Sequence, residues 1–311
     1  MTSSTYVLDG VRIAAETHDP LTAQPGCPLL VALHGGSYTS RYFAVAGAVA
    51  GSFLDVAARN GFQTLTVDRP GYGDSESLPD ADNTFARHAE LVDGLVGRLV
   101  GETHGPASVV LIGHSIGGMI ALEVAARRPA WRLAGVSVTG VGARLAASGL
   151  ADRLGGLAAG GLIDLPVADR DRALFGPAGS YTEAARIAAH GSYAPAPAIE
   201  LAHASRWPRR QFAGVAAQVR APVQSMLAEF DAVWDSSAGA RAEFIAQFDP
   251  SVEVSSSTVP GAGHSLDHHL AGSEVHLAQL ASALRCARQL AFAVCLRSAE
   301  APWHEIGRAH V

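Results

Sequence analysis

Between Pro28 and Gly140 the chain alternates short apolar runs with segments of helical periodicity, and this alternation limits the architecture more than any other feature. "PLLVALH" (28–34), "FQTLTVD" (62–68), "SVVLIG" (108–113) and "LAGVSVTG" (133–140) are apolar on most successive positions. Such runs belong to strands buried on both faces, as in a parallel sheet covered by helices. Between them, "VAGSFLDVAARNG" reads as a helix stopped by Asn60-Gly61. "TFARHAELVDGLVGRLVGE" carries Phe85, Leu91, Leu95 and Leu99 at helical spacing. In front, "STYVL" and "VRIAAET" flank Asp9-Gly10, a type I′ turn pair, and predict a hairpin. After residue 217 the rhythm resumes with "APVQSMLAEFD", a helix over 237–247, the strand "VEVSSSTV" and a last helix over 273–296. The fold class is therefore α/β, a doubly wound and mostly parallel sheet of eight strands with an antiparallel edge.

The rhythm breaks from 141 to 217. That segment is rich in Ala, Gly, Pro and Arg, holds no good strand, and suggests helix around 144–159 and 181–190. So long an interruption of a compact sheet reads as a unit with its own task, an inserted helical cap. The expected division is a core of residues 1–140 and 218–298, a cap of 141–217, and a disordered or artefactual tail of 299–311 ending "EIGRAHV".

Other properties narrow the function. The net charge of −6 carries no basic patch, so nucleic acid is not an expected partner. No apolar run approaches a bilayer span and the opening "MTSSTYVLDG" lacks a secretory pattern, so neither a membrane nor export is expected. Cys27, Cys286 and Cys295 are odd in number and read as buried thiols in a reducing cytoplasm. All 23 basic residues are arginine, which removes any mechanism needing a catalytic lysine. A homodimer is left open.

The chemistry starts at Gly113-His114-Ser115-Ile116-Gly117, a G-x-S-x-G match between a buried strand and a helix. Such a turn holds the serine Oγ at the carboxyl end of the sheet, and small flanking residues let strand and helix approach. The plain alternative is a glycine-rich turn with an idle serine. A serine hydroxyl needs a base to act as a nucleophile. His264 stands in "VPGAGHS", a glycine-rich loop after the last strand. His268, His269 and His276 run on into a helix and read as surface residues, and Asp267, His268 and His269 lack the spacing of a metal site. The base in turn needs a carboxylate. Asp231, in the loop past its strand, is preferred, with Glu229 and Asp235 open and Asp235 read as a helix cap. Oxyanion donors are expected from the N–H of Ile116 and from "LHGGSYTS", at Gly36 or alternatively Ser37. His34 reads as a brace for that loop.

With these pieces in order, the chain resembles the α/β-hydrolase superfamily over about Tyr6 to Leu296. "LHGGS", "DRPGYGDS", "GHSIGG" and "PGAGH" carry the resemblance. It implies the triad Ser115, Asp231 and His264, with a structural role for "DRPGYGDS". Serine where an aspartate would be needed argues against epoxide hydrolases and haloalkane dehalogenases, and the missing lysine against hydroxynitrile lyases that use one. What remains first is cleavage of a carboxylic ester or lactone through an acyl-serine, without metal or other cofactor. C–C bond, thioester and amide hydrolysis, acyl transfer, and ligand binding without catalysis stay open. The apolar tone of Leu150, Leu154, Leu157, Leu162, Phe175 and Trp207 suggests an apolar small-molecule substrate. Ser37, Tyr38, His114, Trp207 and Trp234 are the candidate pocket residues.

Overall fold

The structure, a computed structural model, describes residues 1–47, 50–102, 108–156 and 160–299. The chain opens with β1 (Thr2–Leu8) and β2 (Val11–His18), joined through Asp9 and Gly10 at φ +47° and +81°. These are the positive values a type I′ hairpin requires. β3 (Leu29–Leu33), α1 (Phe53–Arg59), β4 (Thr64–Val67), α2 (Phe85–Glu102), β5 (Val109–His114), α3 (Ile116–Ala126) and β6 (Leu133–Thr139) follow. The chain then leaves the sheet as α4 (Leu150–Gly155), β7 (Leu162–Ile163), α5 (Val167–Leu174), α6 (Glu183–His190), β8 (Ala196–Pro197), α7 (Ala198–Arg210) and α8 (Phe212–Ala216). It returns with β9 (Val223–Phe230), α9 (Ala238–Ala246), β10 (Val254–Gly263) and α10 (Gly272–Ala299).

The sheet has eight strands in the order β1-β2-β4-β3-β5-β6-β9-β10. β1, β2 and β4 pair antiparallel and every later pairing is parallel. Successive side chains explain why the inner strands read as unbroken apolar runs. Val31 and Leu33 of β3, with Val109 and Leu111 of β5, join the larger core on the side of α2 and α3. Their neighbours Leu30, Ala32, Val110 and Ile112 pack with Phe53 and Leu280 on the side of α1 and α10. Each fully buried aliphatic side chain contributes about 1.5–3 kcal/mol, so both faces hold the sheet. A Cβ on Gly135 would lie 2.9 Å from Cys286 Sγ, so α10 rests directly on β6. All three cysteines are free, and Cys295 is exposed rather than buried because it lies in the part of α10 that has left the sheet. No described helix is long and apolar enough to cross a membrane.

The excursion between β6 and β9 is richer than its sequence pattern. Among the described residues it holds five helices and a two-residue antiparallel ladder of β7 with β8, too short to leave a periodic signal. α7 carries Pro208 near its end, a residue that argues against helix in sequence. The excursion is stitched to the core at several places. Ala194 N donates to Ser37 O (3.0 Å) and Thr39 N to Ser192 O (2.9 Å). Ser265 N donates to Leu174 O (2.9 Å), and Leu145 bridges to Trp234. Residues 300–311, most of the expected tail, and Leu157 lie outside the described residues.

Candidate active site

Ser115 is the single residue between the end of β5 and the start of α3. Its backbone sits at φ +51°, ψ −120°, and its N–H donates to Thr139 O at 2.8 Å. A non-glycine residue held there costs on the order of 1–3 kcal/mol and persists only where its surroundings force it. The glycines on either side supply the force. A Cβ on Gly117 would stand 2.1 Å from Leu33 O, and one on Gly113 would stand 2.5 Å from the Cα of Gly118. Only bare backbone lets α3 press this close to β3 and β5, and that approach drives the Ser115 side chain out of the sheet end.

His264 lies immediately past β10 and Asp231 immediately past β9, so neighbouring strand ends deliver both. His264 Nε2 is 2.9 Å from Ser115 Oγ, and its Nδ1 is 2.9 and 3.0 Å from the two oxygens of Asp231. Asp231 Oδ1 also accepts the backbone N–H groups of Val233 (2.8 Å) and Trp234 (3.0 Å), which fix the carboxylate. The other two carboxylates are occupied elsewhere. Glu229 accepts from Gly261 N, and Asp235 pairs with Arg144 while Ser237, not Asp235, caps α9.

Ser115 and His264 face a cavity of about 100 Å³ whose walls are mostly apolar and include Leu150, Leu154 and Leu165 of the excursion. Gly36, Ser37, Tyr38, His114, Ile116 and Trp234 all border it. A Cβ on Gly36 would meet Ile116 Cδ1 at 2.8 Å, so the β3 loop and the start of α3 meet beside Ser115. Ile116 N is in the first turn of α3, where N–H groups have no acceptor within the helix. His34 braces the loop: its Nδ1–H donates to Gly35 O (2.8 Å) and its Nε2 accepts from Arg69 N (3.1 Å). Trp207 is not at the cavity. It is fully buried against Phe212, and its indole N–H donates to Glu123 of α3 at 3.2 Å. An indole packing the excursion onto the core has the same sequence signature as one lining a pocket. Phe175 likewise packs on Tyr181 and His269, and Leu162 is exposed.

Behind the site lies a buried cluster that the sequence placed at the surface. His268, His269 and His276 are all fully buried. Asp267 accepts from Tyr42 OH (2.7 Å) and from His276 Nε2 (3.2 Å), while His268 Nε2 donates to Tyr42 O (3.1 Å). His269 Nε2 accepts from Gly176 N and Gly263 N, clamping the His264 loop to the excursion. Burial would raise the Asp267 carboxyl, but His276, His114 and Tyr42 together outweigh it and hold the group below its ordinary range. His114 stacks on Tyr42 with centroids 4.4 Å apart and lies 5.1 Å from the His264 ring. Burial, and then the neighbouring His264, hold its imidazole well below the usual histidine range. It is a neutral wall of the site. The sequence shows only histidines near a helix start, and tertiary contacts alone reverse that surface assignment.

Two arginines escaped sequence reading. Arg69, in "DRPGYGDS", donates to His34 O (2.9 Å) and Gly35 O (3.1 Å) and forms a fully buried ion pair with Glu200 of α7. Arg170 of α5 is 4% exposed and borders the cavity. Both lie among other charged residues, so nothing local marks them as interior.

The alpha/beta hydrolase family model matches residues 30–281, and the chain belongs to that family. Among curated proteins it is similar to an sn-1-specific diacylglycerol lipase of Mus musculus, 35% identical over 37% of this chain and 34% of the lipase. The chain spans well under half the length of the curated relatives it matches. Among solved structures it resembles E-2-(acetamidomethylene)succinate hydrolase, with a TM-score of 0.64 and 21% identity over 89% of this chain and 97% of that one. It also resembles an N-acyl homoserine lactonase, with a TM-score of 0.60 and 16% identity over the whole of both chains. At these identities the structural likeness shows the fold.

Proposed function

We propose that the protein is a serine hydrolase that cleaves a carboxylic ester or lactone through an acyl-serine. The observation that carries this reading is the unbroken chain Ser115 Oγ–His264–Asp231, at 2.9, 2.9 and 3.0 Å, opening onto a mostly apolar cavity. Ser115 Oγ attacks the carbonyl carbon while His264 Nε2 takes its proton. Asp231 holds Nδ1–H and stabilises the imidazolium. The oxyanion takes the backbone N–H groups of Ile116 and Gly36, each worth about 2.7–4 kcal/mol in such sites. The tetrahedral intermediate collapses and the alkoxide leaves with the proton from Nε2. Water, activated by the same nitrogen, then releases the acid. In a lactone the leaving alcohol stays attached to the acyl group, and the steps are unchanged.

The excursion acts as a cap in this scheme, since Leu150, Leu154, Leu165 and Leu201 supply much of the cavity wall. Carboxylic ester and lactone cleavage is the chemistry named for the lipase and the lactonase described above. The free cysteines fit a reducing cytoplasm. The test is a turnover screen of p-nitrophenyl esters and simple lactones, with Ser115→Ala as control. Turnover that vanishes in the variant is expected; turnover that survives it overturns the reading.

A further inference from the structure

We propose that the substrate carries, away from the bond that is cut, an oxygen acceptor such as a carboxylate or an amide carbonyl, and that Arg170 recognises it. This rests on the hydrolase reading above and narrows its substrate class. The cavity wall is mostly hydrocarbon, yet two of the residues that border it, Arg170 and Trp234, each hold a buried nitrogen donor, Nε and Nε1, that has no acceptor among the described residues. They come from different parts of the wall, α5 of the excursion and the loop after β9. The rest of Arg170 is held. Its Nη2 donates to Asp164 Oδ1 (2.6 Å) and to Ala194 O (3.2 Å), and its guanidinium lies over the Tyr193 ring at 5.1 Å. Asp164 is 74% exposed, so water screens the one carboxylate paired with this cation. A buried donor without a partner carries its full desolvation penalty. A purely alkyl substrate offers the Arg170 cation at the cavity wall nothing, whereas an acceptor oxygen gains a charge-assisted bond to its guanidinium. Sites with such donors reject substrates that lack the matching group far more strongly than a hydrocarbon pocket rejects a misfit. Arg170 is thus a positioning and specificity residue, distinct from the reacting groups.

The test uses two ester series on the full chain. On the acyl side, the p-nitrophenyl monoesters of glutarate and glutaramate are compared with p-nitrophenyl isoheptanoate, their branched alkyl isostere. On the alcohol side, butyrates of γ-hydroxybutyrate and its amide are compared with isohexyl butyrate. In the wild type, kcat/KM for an acceptor-bearing ester of at least one series should exceed that of its isostere by about 10-fold or more. In Arg170→Met that ratio should fall toward one, and Arg170→Lys should restore part of it for the carboxylates only. The ratio does not depend on how much of a variant folds. Equal turnover of acceptor and alkyl esters, or a preference that Arg170→Met retains, overturns the proposal. If neither series is cut and a fluorophosphonate fails to label Ser115, the hydrolase reading has failed instead. Calorimetric binding of the same esters to Ser115→Ala then decides for Arg170: tighter binding of the acceptor esters, lost in Arg170→Met, upholds it, and no difference rejects it.

Discussion

Both carboxylate oxygens of Asp231 lie at hydrogen-bond distance from His264 Nδ1, 2.9 and 3.0 Å away, while Oδ1 also accepts two backbone N–H groups. That pairing permits only one useful tautomer, with the proton on Nδ1 and the lone pair of Nε2 facing Ser115. Asp231→Asn would keep its amide oxygen on Val233 N and Trp234 N and turn its NH₂ toward His264. Nδ1 then accepts, and Nε2 carries the proton and cannot take another. The expected loss in kcat is about 10⁴-fold with the fold intact. Steady-state kinetics beside circular dichroism check it, and a loss below tenfold would contradict the role of Asp231.

Close backbone approach at the serine turn makes a sharper stability prediction. Gly117→Ala places a Cβ 2.1 Å from the carbonyl oxygen of Leu33, where no side chain is available to yield. Gly94→Ala, on the exposed side of α2, meets only Leu8 Cδ2 at 3.9 Å. Urea unfolding should show Gly117→Ala destabilised by more than about 3 kcal/mol or unfolded. Gly94→Ala should gain about 0.5–1 kcal/mol from helix propensity. Similar effects at both sites would refute the packing argument.

The Arg69–Glu200 pair joins the loop after β4 to α7, with both side chains fully buried. Glu200→Gln leaves the guanidinium without its counter-charge, and breaking a buried pair on one side costs about 3–5 kcal/mol. The measurement is again urea unfolding, and a change under about 1 kcal/mol would show the pair to be idle.

Buried histidines set the response to acid. Burial holds His34, His88, His114 and His268 below the ordinary imidazole range, His268 at about 4. In the unfolded chain each takes a proton at about pH 6.5, the ordinary imidazole value. The unfolded state therefore binds more protons between those limits, and stability rises with pH across them. It is complete above about pH 6.5 and is lost progressively toward pH 4, where His268 also protonates in the native state. Unfolding free energy measured from pH 7.5 to 4.5 should fall with a slope exceeding one proton per molecule, about 1.4 kcal/mol per pH unit. A flat profile would mean that these groups are solvated.

Much of this arrangement is legible in the sequence because it depends on local backbone needs. Gly113 and Gly117 advertise the close approach at Ser115, and apolar runs over both sheet faces advertise the strands that end beside it. The order of Ser115, Asp231 and His264 places one at each of three strand ends. What escaped depends on contacts between distant segments. Trp207 packs the excursion onto α3 instead of lining the cavity, and its neighbours in sequence say nothing of that choice. His268, His269 and His276 sit at a polar helix start and are interior only because α1, the β3 loop and the excursion close over them. Arg170 lies in "VADRDRAL", where a buried cation and a surface one look alike.

Cleavage through an acyl-serine requires a covalent acyl group on Ser115. Rapid quenching of the enzyme with a turned-over p-nitrophenyl ester, followed by peptide mass spectrometry, tests it most directly. An adduct of the acyl mass is expected on the peptide holding Ser115, formed within the first turnover and absent from Ser115→Ala. Turnover with no acylated peptide, or with the acyl group on another residue, would contradict it.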